Sequence, residues 1–412
     1  MNKFAPTTLH IVANTRATTE AFGRRNEEIV KLVSGIGRQN TELKLKVSHA
    51  SGTRLTLLQV DPGLQAKVSD GKITRHSISL MNTIGTANPL DVFDRSKSID
   101  ELRSGFAPMI KHMEKIVKDA DVVFLSGTYY FPWALLQAAR NQNKPVVICY
   151  AGILSMEISH LPEDIQTIMR VMEKDFDQPS LHYVFPSDLT RKTVEGIFGH
   201  PLSKSEIIFN GVPLEFFEAP AHSKKDIGVA FVGRFTSVKN PKFMIDLANE
   251  LTKRGSKSKV HMVTKSVPDY PLFHELEASP VVIHSPMETK DLARFYSSTS
   301  VVLSPSHFET YGNVPLEAVS AGTPALISPF MGVTEVFNQL DLSHWITKFD
   351  DAQTIADKVE GFVKNKVSIS PEIRTRIRNM LSWQGVAGKY LDICTSHAQT
   401  AFSKWNQAPE ST

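Results

Sequence analysis

The chain has 412 residues, 41% hydrophobic and 22% charged, with a formal net charge of +3. That length favours two cores over one, and the composition is that of a globular protein rather than a disordered or fibrous one. A charge surplus so small does not make nucleic acid the expected partner.

Cys149 and Cys394 are the only cysteines. They make no disulfide framework and fit a reducing cytosol. No apolar run approaches the ~18 residues of a membrane span, and the first residues lack the apolar core of a secretory leader. The expectation is a cytoplasmic chain whose membrane contact, if any, is peripheral and at the inner face. Charge is uneven, with twelve Lys and Arg against six Asp and Glu in residues 1–80. Such a basic segment suits an acidic acceptor or an anionic surface, or is simply a solvated face.

In chain order, short apolar runs alternate with segments of helix length. Strands are expected at Leu9–Ala13, Leu55–Val60, Val122–Ser126, Val146–Tyr150, Tyr183–Phe185 and Ile207–Phe209. A second series follows at Val229–Val232, Val260–Thr264, Val281–His284, Val301–Ser304 and Ala325–Ser328. Runs of this kind imply parallel sheets buried on both faces, wound with helices, with ligands at the carboxyl ends of the strands. The series break at Asn210-Gly211-Val212-Pro213, and Glu218–Ser223 reads as a connection. The expected fold is α/β: two doubly wound Rossmann-like domains, residues 1–210 and 211–383, facing a cleft. Residues 384–412 form a helix crossing back to the first domain.

Several early candidates carry a bland reading of equal or greater weight. Arg16, Arg24 and Arg25 could meet an anion or merely open a helix in solvent. Asp119-Ala120-Asp121 and Asp175-Phe176-Asp177 fit the sparse Asp-any-Asp pattern of metal-dependent transferases, but each sits where a structural role is expected. Tyr129, Tyr130, Phe131 and Trp133 follow a strand and suit either a sugar or the core. No histidine pair has zinc spacing, and no metal is expected. His307 stands two residues before Glu309 and lacks a recognisable partner.

Two later segments carry chemistry. In Val229–Pro241 a buried strand ends at Gly233, Arg234 follows, and Lys239 precedes a helix opened by Pro241. An Arg fork and a Lys point charge at a strand's carboxyl end can neutralise a diphosphate leaving group. In Phe308–Glu317, Glu309 and Glu317 bracket Thr310-Tyr311-Gly312-Asn313-Val314. A helix is expected from there, closing at Ser320-Ala321-Gly322-Thr323-Pro324. The N–H groups of Gly312, Asn313 and Val314 would face a phosphate, and Glu317 is placed in the first helical turn, where an acid also stabilises a helix without any ligand. Neither segment resembles a nucleophile paired with a base.

These pieces, in this order, resemble the retaining family 4 glycosyltransferases of the GT-B fold, marked by a Glu-seven-residues-Glu element. The matching strings are Phe231–Arg234 with Lys239-Asn240-Pro241, Pro305-Ser306 leading into Glu309–Glu317, and Ala318–Pro324. Asn210–Pro213 and Ser382–Leu391 resemble the family's interdomain segment and crossover helix. The resemblance covers roughly residues 183–395. It implies that Gly233, Arg234 and Lys239 hold the donor diphosphate and that Glu317 holds the ribose. Glu309 would contact the donor sugar, with Thr310, Tyr311, Gly312, Asn313 and Val314 completing the site. The catalytic group would be Glu309, Arg234 and Lys239. It also implies a nucleobase pocket near Ile283–Met287, a nucleotide-diphosphate sugar as donor with uridine the first choice, and no separate cofactor.

The first half departs from the family. Ala13–Thr18 replaces a glycine-rich turn, and Cys149-Tyr150-Ala151-Gly152 stands where relatives carry a His-Gly pair. The acceptor, whether glycan, lipid or small molecule, is therefore not legible. A sugar-nucleotide isomerase on the same fold and a non-catalytic partner subunit stay open as alternatives.

Overall fold

A computed structural model describes residues 8–14, 52–61, 66–70, 72–159, 161–219, 227–265 and 272–407. Arg16, Arg24, Arg25, the turn after Asn14 and most of the connection expected at 218–223 lie outside the described residues.

Two α/β lobes give the chain a GT-B fold. The first lobe is built on eight strands: β1 (Leu9–Asn14), β2 (Thr53–Asp61), β3 (Ala66–Asp70), β4 (Ile73–Ser79), β5 (Val122–Ser126), β6 (Val146–Cys149), β7 (Leu181–Phe185) and β8 (Ser205–Ile207). Their order is β3-β4-β2-β1-β5-β6-β7-β8. All neighbours are parallel except β3 and β4. The second lobe holds β9 (Ile227–Val232), β10 (Val260–Val263), β11 (Val282–His284), β12 (Thr299–Ser304) and β13 (Ala325–Ile327), in the order β11-β10-β9-β12-β13 and wholly parallel.

The β3–β4 pair was not expected. Continuous apolar runs reveal strands buried on both faces, whereas Ala-Lys-Val-Ser-Asp and Ile-Thr-Arg-His-Ser-Ile-Ser mix polar and apolar residues in the manner of a sheet margin. The other margin explains a shift. The strand expected at Ile207–Phe209 lies at Ser205–Ile207, because an outer strand paired on one side needs no apolar run.

Within the first sheet the two faces alternate. Val12, Leu58, Val123 and Ile148 face one layer of helices, while Ile11, Leu57, Phe124 and Val147 face the other. The long helix Trp383–Gln407 covers that second face with Trp383, Val386, Tyr390, Ile393 and Cys394. Tyr390 sets its ring edge-on to Phe124 with centroids 5.5 Å apart, and its hydroxyl lies 3.3 Å from the sulfur of Cys149. Both cysteines are buried, and neither forms a disulfide. Among the described residues no helix is long and apolar enough to cross a membrane.

The chain passes between the lobes twice, side by side. Val212 N donates to Leu381 O at 2.7 Å, and Val212 bridges Ser382. Gly211 lies against the ring of Trp383 so closely that a Cβ would sit 2.5 Å from its Cδ2. Only glycine fits there. Trp383→Ala should therefore lower the unfolding free energy by about 3–5 kcal/mol, read by urea denaturation. A loss below about 1 kcal/mol would show that this ring does not buttress the crossing.

Candidate active site

In the second sheet the strand order reverses between β9 and β12, so their carboxyl ends open onto a crevice. After β9, Gly233 N donates to Val263 O at 3.1 Å, and Arg234 emerges. Phe235 turns back into the core, and a single 3-10 turn, Ser237–Lys239, follows. Asn240 then takes the left-handed conformation (φ 53°) at the entry to the helix Pro241–Lys253. Asn tolerates that conformation better than most residues because its short polar side chain bonds locally; here its amide reaches Pro305 O at 3.3 Å. This sharp entry leaves Lys239 at the crevice instead of on the helix.

The loop after β12 is tied to the first. His307 N donates to Val238 O at 2.8 Å. Glu309 is held by its backbone to the next loop, donating to Phe330 O and accepting from Gly332 N, both at 3.1 Å. Its carboxylate accepts from the Lys239 ammonium and from Ser306 Oγ at 3.0 Å. The side chains of Lys239 and Glu309 are 19% and 16% exposed, so the pair is only lightly screened by water.

Gly312 (φ 95°) opens the helix Asn313–Ser320, and Gly322 (φ 90°) follows its end. A Cβ on Gly312 would lie 2.5 Å from the Met331 methyl as well as in strained backbone. The expected first-turn position of Glu317 is corrected here. The helix begins at Asn313, so Glu317 is its fifth residue, 5% exposed, with Oε2 3.4 Å from the Tyr296 hydroxyl. Helix-end stabilisation is not its role, because that effect fades beyond the first turn. Asn313 Oδ1 accepts from Asn210 Nδ2 at 3.1 Å, and Val314 packs against the second-lobe core. Tyr311 is buried, stacked on Phe209 at 6.1 Å, and donates to Asn210 O at 3.4 Å. Burial holds its phenol well above the usual range, in the neutral form.

The first lobe grips this loop. Ser187 Oγ and Thr190 Oγ1 each donate to Thr310 O at 2.6 Å, and Thr310 Oγ1 donates to Ala151 O at 2.8 Å. Glu335 accepts from Asp188 N and Leu189 N at 2.7 and 3.2 Å, while burial raises its carboxyl pKa. Arg234 reaches Glu157 of the first lobe at 3.6 Å. The resulting open cleft, about 340 Å³ with the solvent at its mouth included, is lined by Ile153, Met156, Glu157, Arg234, Val238, Lys239, Phe308, Glu309 and Thr310.

Arg234, Lys239, Glu309 and Thr310 thus meet in one cleft, and Gly233 abuts it in sequence. Tyr311, Gly312, Asn313, Val314 and Glu317 form the turn and helix behind its wall. Glu157, Ser187, Thr190 and Glu335 were missed. Ser187 and Thr190 carried a helix-entry signal, but Glu157 lies in the four-residue helix Leu154–Glu157, too short to show periodicity.

Other candidates are structural. Asp121 accepts from His10 N at 2.7 Å. Asp175 accepts from Trp133 Nε1 and Gln137 Nε2 at 2.8 Å and pairs with Arg103, and Asp177 pairs with His200. Tyr130, Phe131 and Trp133 are buried in the first core, and Tyr129 stacks on Phe93 at 6.0 Å. His307 is exposed, and its backbone N donates to Val238 O. Among the described residues no three His, Cys, Asp or Glu side chains converge as a metal site. At the expected base pocket, His284 stacks on His261 with ring nitrogens 2.8 Å apart.

The wall segment bearing Glu157 hangs on a buried carboxylate. Glu173, in the helix Glu163–Lys174, is fully buried and accepts from Leu154 N and Ser155 N at 2.6 and 3.0 Å. Burial raises its pKa, only partly opposed by those hydrogen bonds. The folded state therefore holds this proton more tightly than the unfolded chain. Its stabilisation is complete below the ordinary carboxyl pKa and is lost as pH rises through the raised one. Unfolding free energy of the wild type minus that of Glu173→Gln should accordingly fall as pH rises from about 4 to 8. Denaturation curves showing a constant or rising difference would contradict this.

Residues 214–380 match the family model "Glycosyl transferases group 1". Over 202 residues the chain is 28% identical to an uncharacterized glycosyltransferase of Methanocaldococcus jannaschii, a match covering 45% of this chain and 52% of the relative. The chain spans about half the length of the curated relatives it matches. Among solved structures, sucrose-phosphate synthase from Thermosynechococcus elongatus superposes with a TM-score of 0.67 at 14% identity, covering 94% of this chain and 98% of that one. An E. coli structure described as trehalose-6-phosphate bound with UDP-2-fluoro glucose gives a TM-score of 0.60 at 15% identity, covering 93% and 98%.

Proposed function

With a glycosyl transferases group 1 segment on a GT-B frame as the premise, we propose that this protein moves a sugar from a nucleoside-diphosphate donor to a hydroxyl acceptor with retention. The observation that carries the reading is the meeting of Arg234, Lys239 and Glu309 at the carboxyl ends of β9 and β12. Breaking the bond between the anomeric carbon and the diphosphate oxygen leaves negative charge on the diphosphate. Arg234 and Lys239 are two cations placed where that charge develops, and preorganised charge of this kind is usually the largest catalytic term. The N–H groups at the helix start, Gly312–Val314, add a further positive end.

Glu309 then accepts from a sugar hydroxyl while keeping Lys239 in place. Glu317, the fifth residue of the same helix, takes the ribose diol. The acceptor enters from the first lobe and attacks on the face the leaving group vacates, so no protein nucleophile is needed. Closure of the lobes excludes the water that would otherwise take the sugar. Uridine is the first base to try, since the E. coli structural neighbour is bound with UDP-2-fluoro glucose.

Two measurements test this. One of the uridine, guanosine, adenosine or thymidine diphosphates should raise the melting temperature, because a ligand bound by the native state alone stabilises it. Glu309→Gln and Lys239→Ala should each lower turnover at least ~100-fold while leaving the melting temperature nearly unchanged. Wild-type turnover in either variant removes the assigned role.

A further inference from the structure

Among the described residues the cleft is lined by two cations, Arg234 and Lys239, and two carboxylates, Glu157 and Glu309. Its charges therefore cancel, and a diphosphate must take the cations from partners already present. The two pairs differ. Lys239 and Glu309 come from adjacent loops of one lobe and are well covered, whereas Arg234 and Glu157 face each other across the cleft at 3.6 Å and are each 47% exposed. The exposed pair is the looser, and it alone spans the two lobes.

Glu157 is nevertheless not a casual surface acid. The lining residues contributed by the first lobe, Ile153, Met156 and Glu157, come from a single segment. Its helix, Leu154–Glu157, is one turn long and has no side-chain cap of its own. One turn does not stand alone in water. Glu173 supplies what is missing, a fully buried carboxylate bonded to the N–H groups of Leu154 and Ser155. A buried anchor thus fixes the backbone while the half-exposed side chain of Glu157 stays free to turn. Such a construction suits a charge that must be present and must also yield.

We propose that Glu157 competes with the donor diphosphate for Arg234: it holds the guanidinium from across the cleft, and the entering diphosphate displaces it. The idea rests on the donor-site reading above. Glu157 in this role is a positioning residue that sets donor affinity through Arg234. A carboxylate left beside a diphosphate would repel it, so removal of its charge strengthens binding. An exposed pair of this kind is weak, which limits the gain to about two- to fivefold.

Calorimetric titration of uridine, guanosine, adenosine and thymidine diphosphates into wild type and Glu157→Gln at low ionic strength tests it. The diphosphate that binds wild type should bind Glu157→Gln about two- to fivefold more tightly, and the gap should close near ~0.5 M salt. The matching nucleoside, lacking phosphate, should show no gain. In an Arg234→Ala background Glu157→Gln should change nothing, which a merely structural role would not produce. Glu173→Gln, which loosens the helix without touching the cleft, should shift diphosphate affinity in the same direction. Equal or weaker diphosphate binding by Glu157→Gln, or an equal gain without Arg234, overturns the competition while leaving the donor site standing. If no diphosphate binds wild type or variant, the donor reading fails and the competition falls with it.

Discussion

Lys239 and Glu309 come from different loops, yet they neutralise each other at the floor of the cleft, and the surrounding structure is arranged to keep them there. Asn240 bends the chain so that Lys239 stays at the crevice. Backbone bonds to Phe330 and Gly332 fix Glu309 on the opposite side. A partly buried cation and carboxylate at contact would each be costly alone. Together they form a charge-balanced surface that a second anion can enter only by redistributing the pairs. This constraint ties the segment that matches the group 1 model, the reversal of strand order and the proposed chemistry to one place.

The first lobe acts on that place mainly through backbone. The carbonyl of Thr310 is held by two hydroxyls, Ser187 and Thr190, and Glu335 caps the start of the helix Asp188–Phe198 from the other lobe. These bonds link the loop that carries Glu309 to the relative position of the lobes. Gly211 against Trp383, where the chain crosses between the sheets, leaves no room for a side chain.

How much was legible in the sequence follows from how each element is buried. The central strands are enclosed on both faces, so their apolar runs announce them, and the buried β5 lies where it was expected, Val122–Ser126. The margins β3, β4 and β8 are paired or covered on fewer sides, and their mixed composition conceals them. Arg234, Lys239 and Glu309 were legible because strand ends and helix entries force their positions locally. Glu317 was identified as a residue but placed two positions too early, in the first turn, since Pro315 falls at the third helical position, not the first. Glu157 and Glu335 act across the cleft, and contacts between residues 77 or 147 positions apart leave no mark in local pattern. Pairing the aromatics with the core likewise required the sheet, because Trp133 meets Asp175 only after folding.

The most direct measurement is a crystal structure of this chain with a tightly binding nucleoside diphosphate. The account predicts phosphate oxygens within hydrogen-bond distance, about 2.7–3.2 Å, of both Arg234 and Lys239, with Glu157 turned away from the guanidinium. A diphosphate seated elsewhere, with both original ion pairs intact, would contradict it.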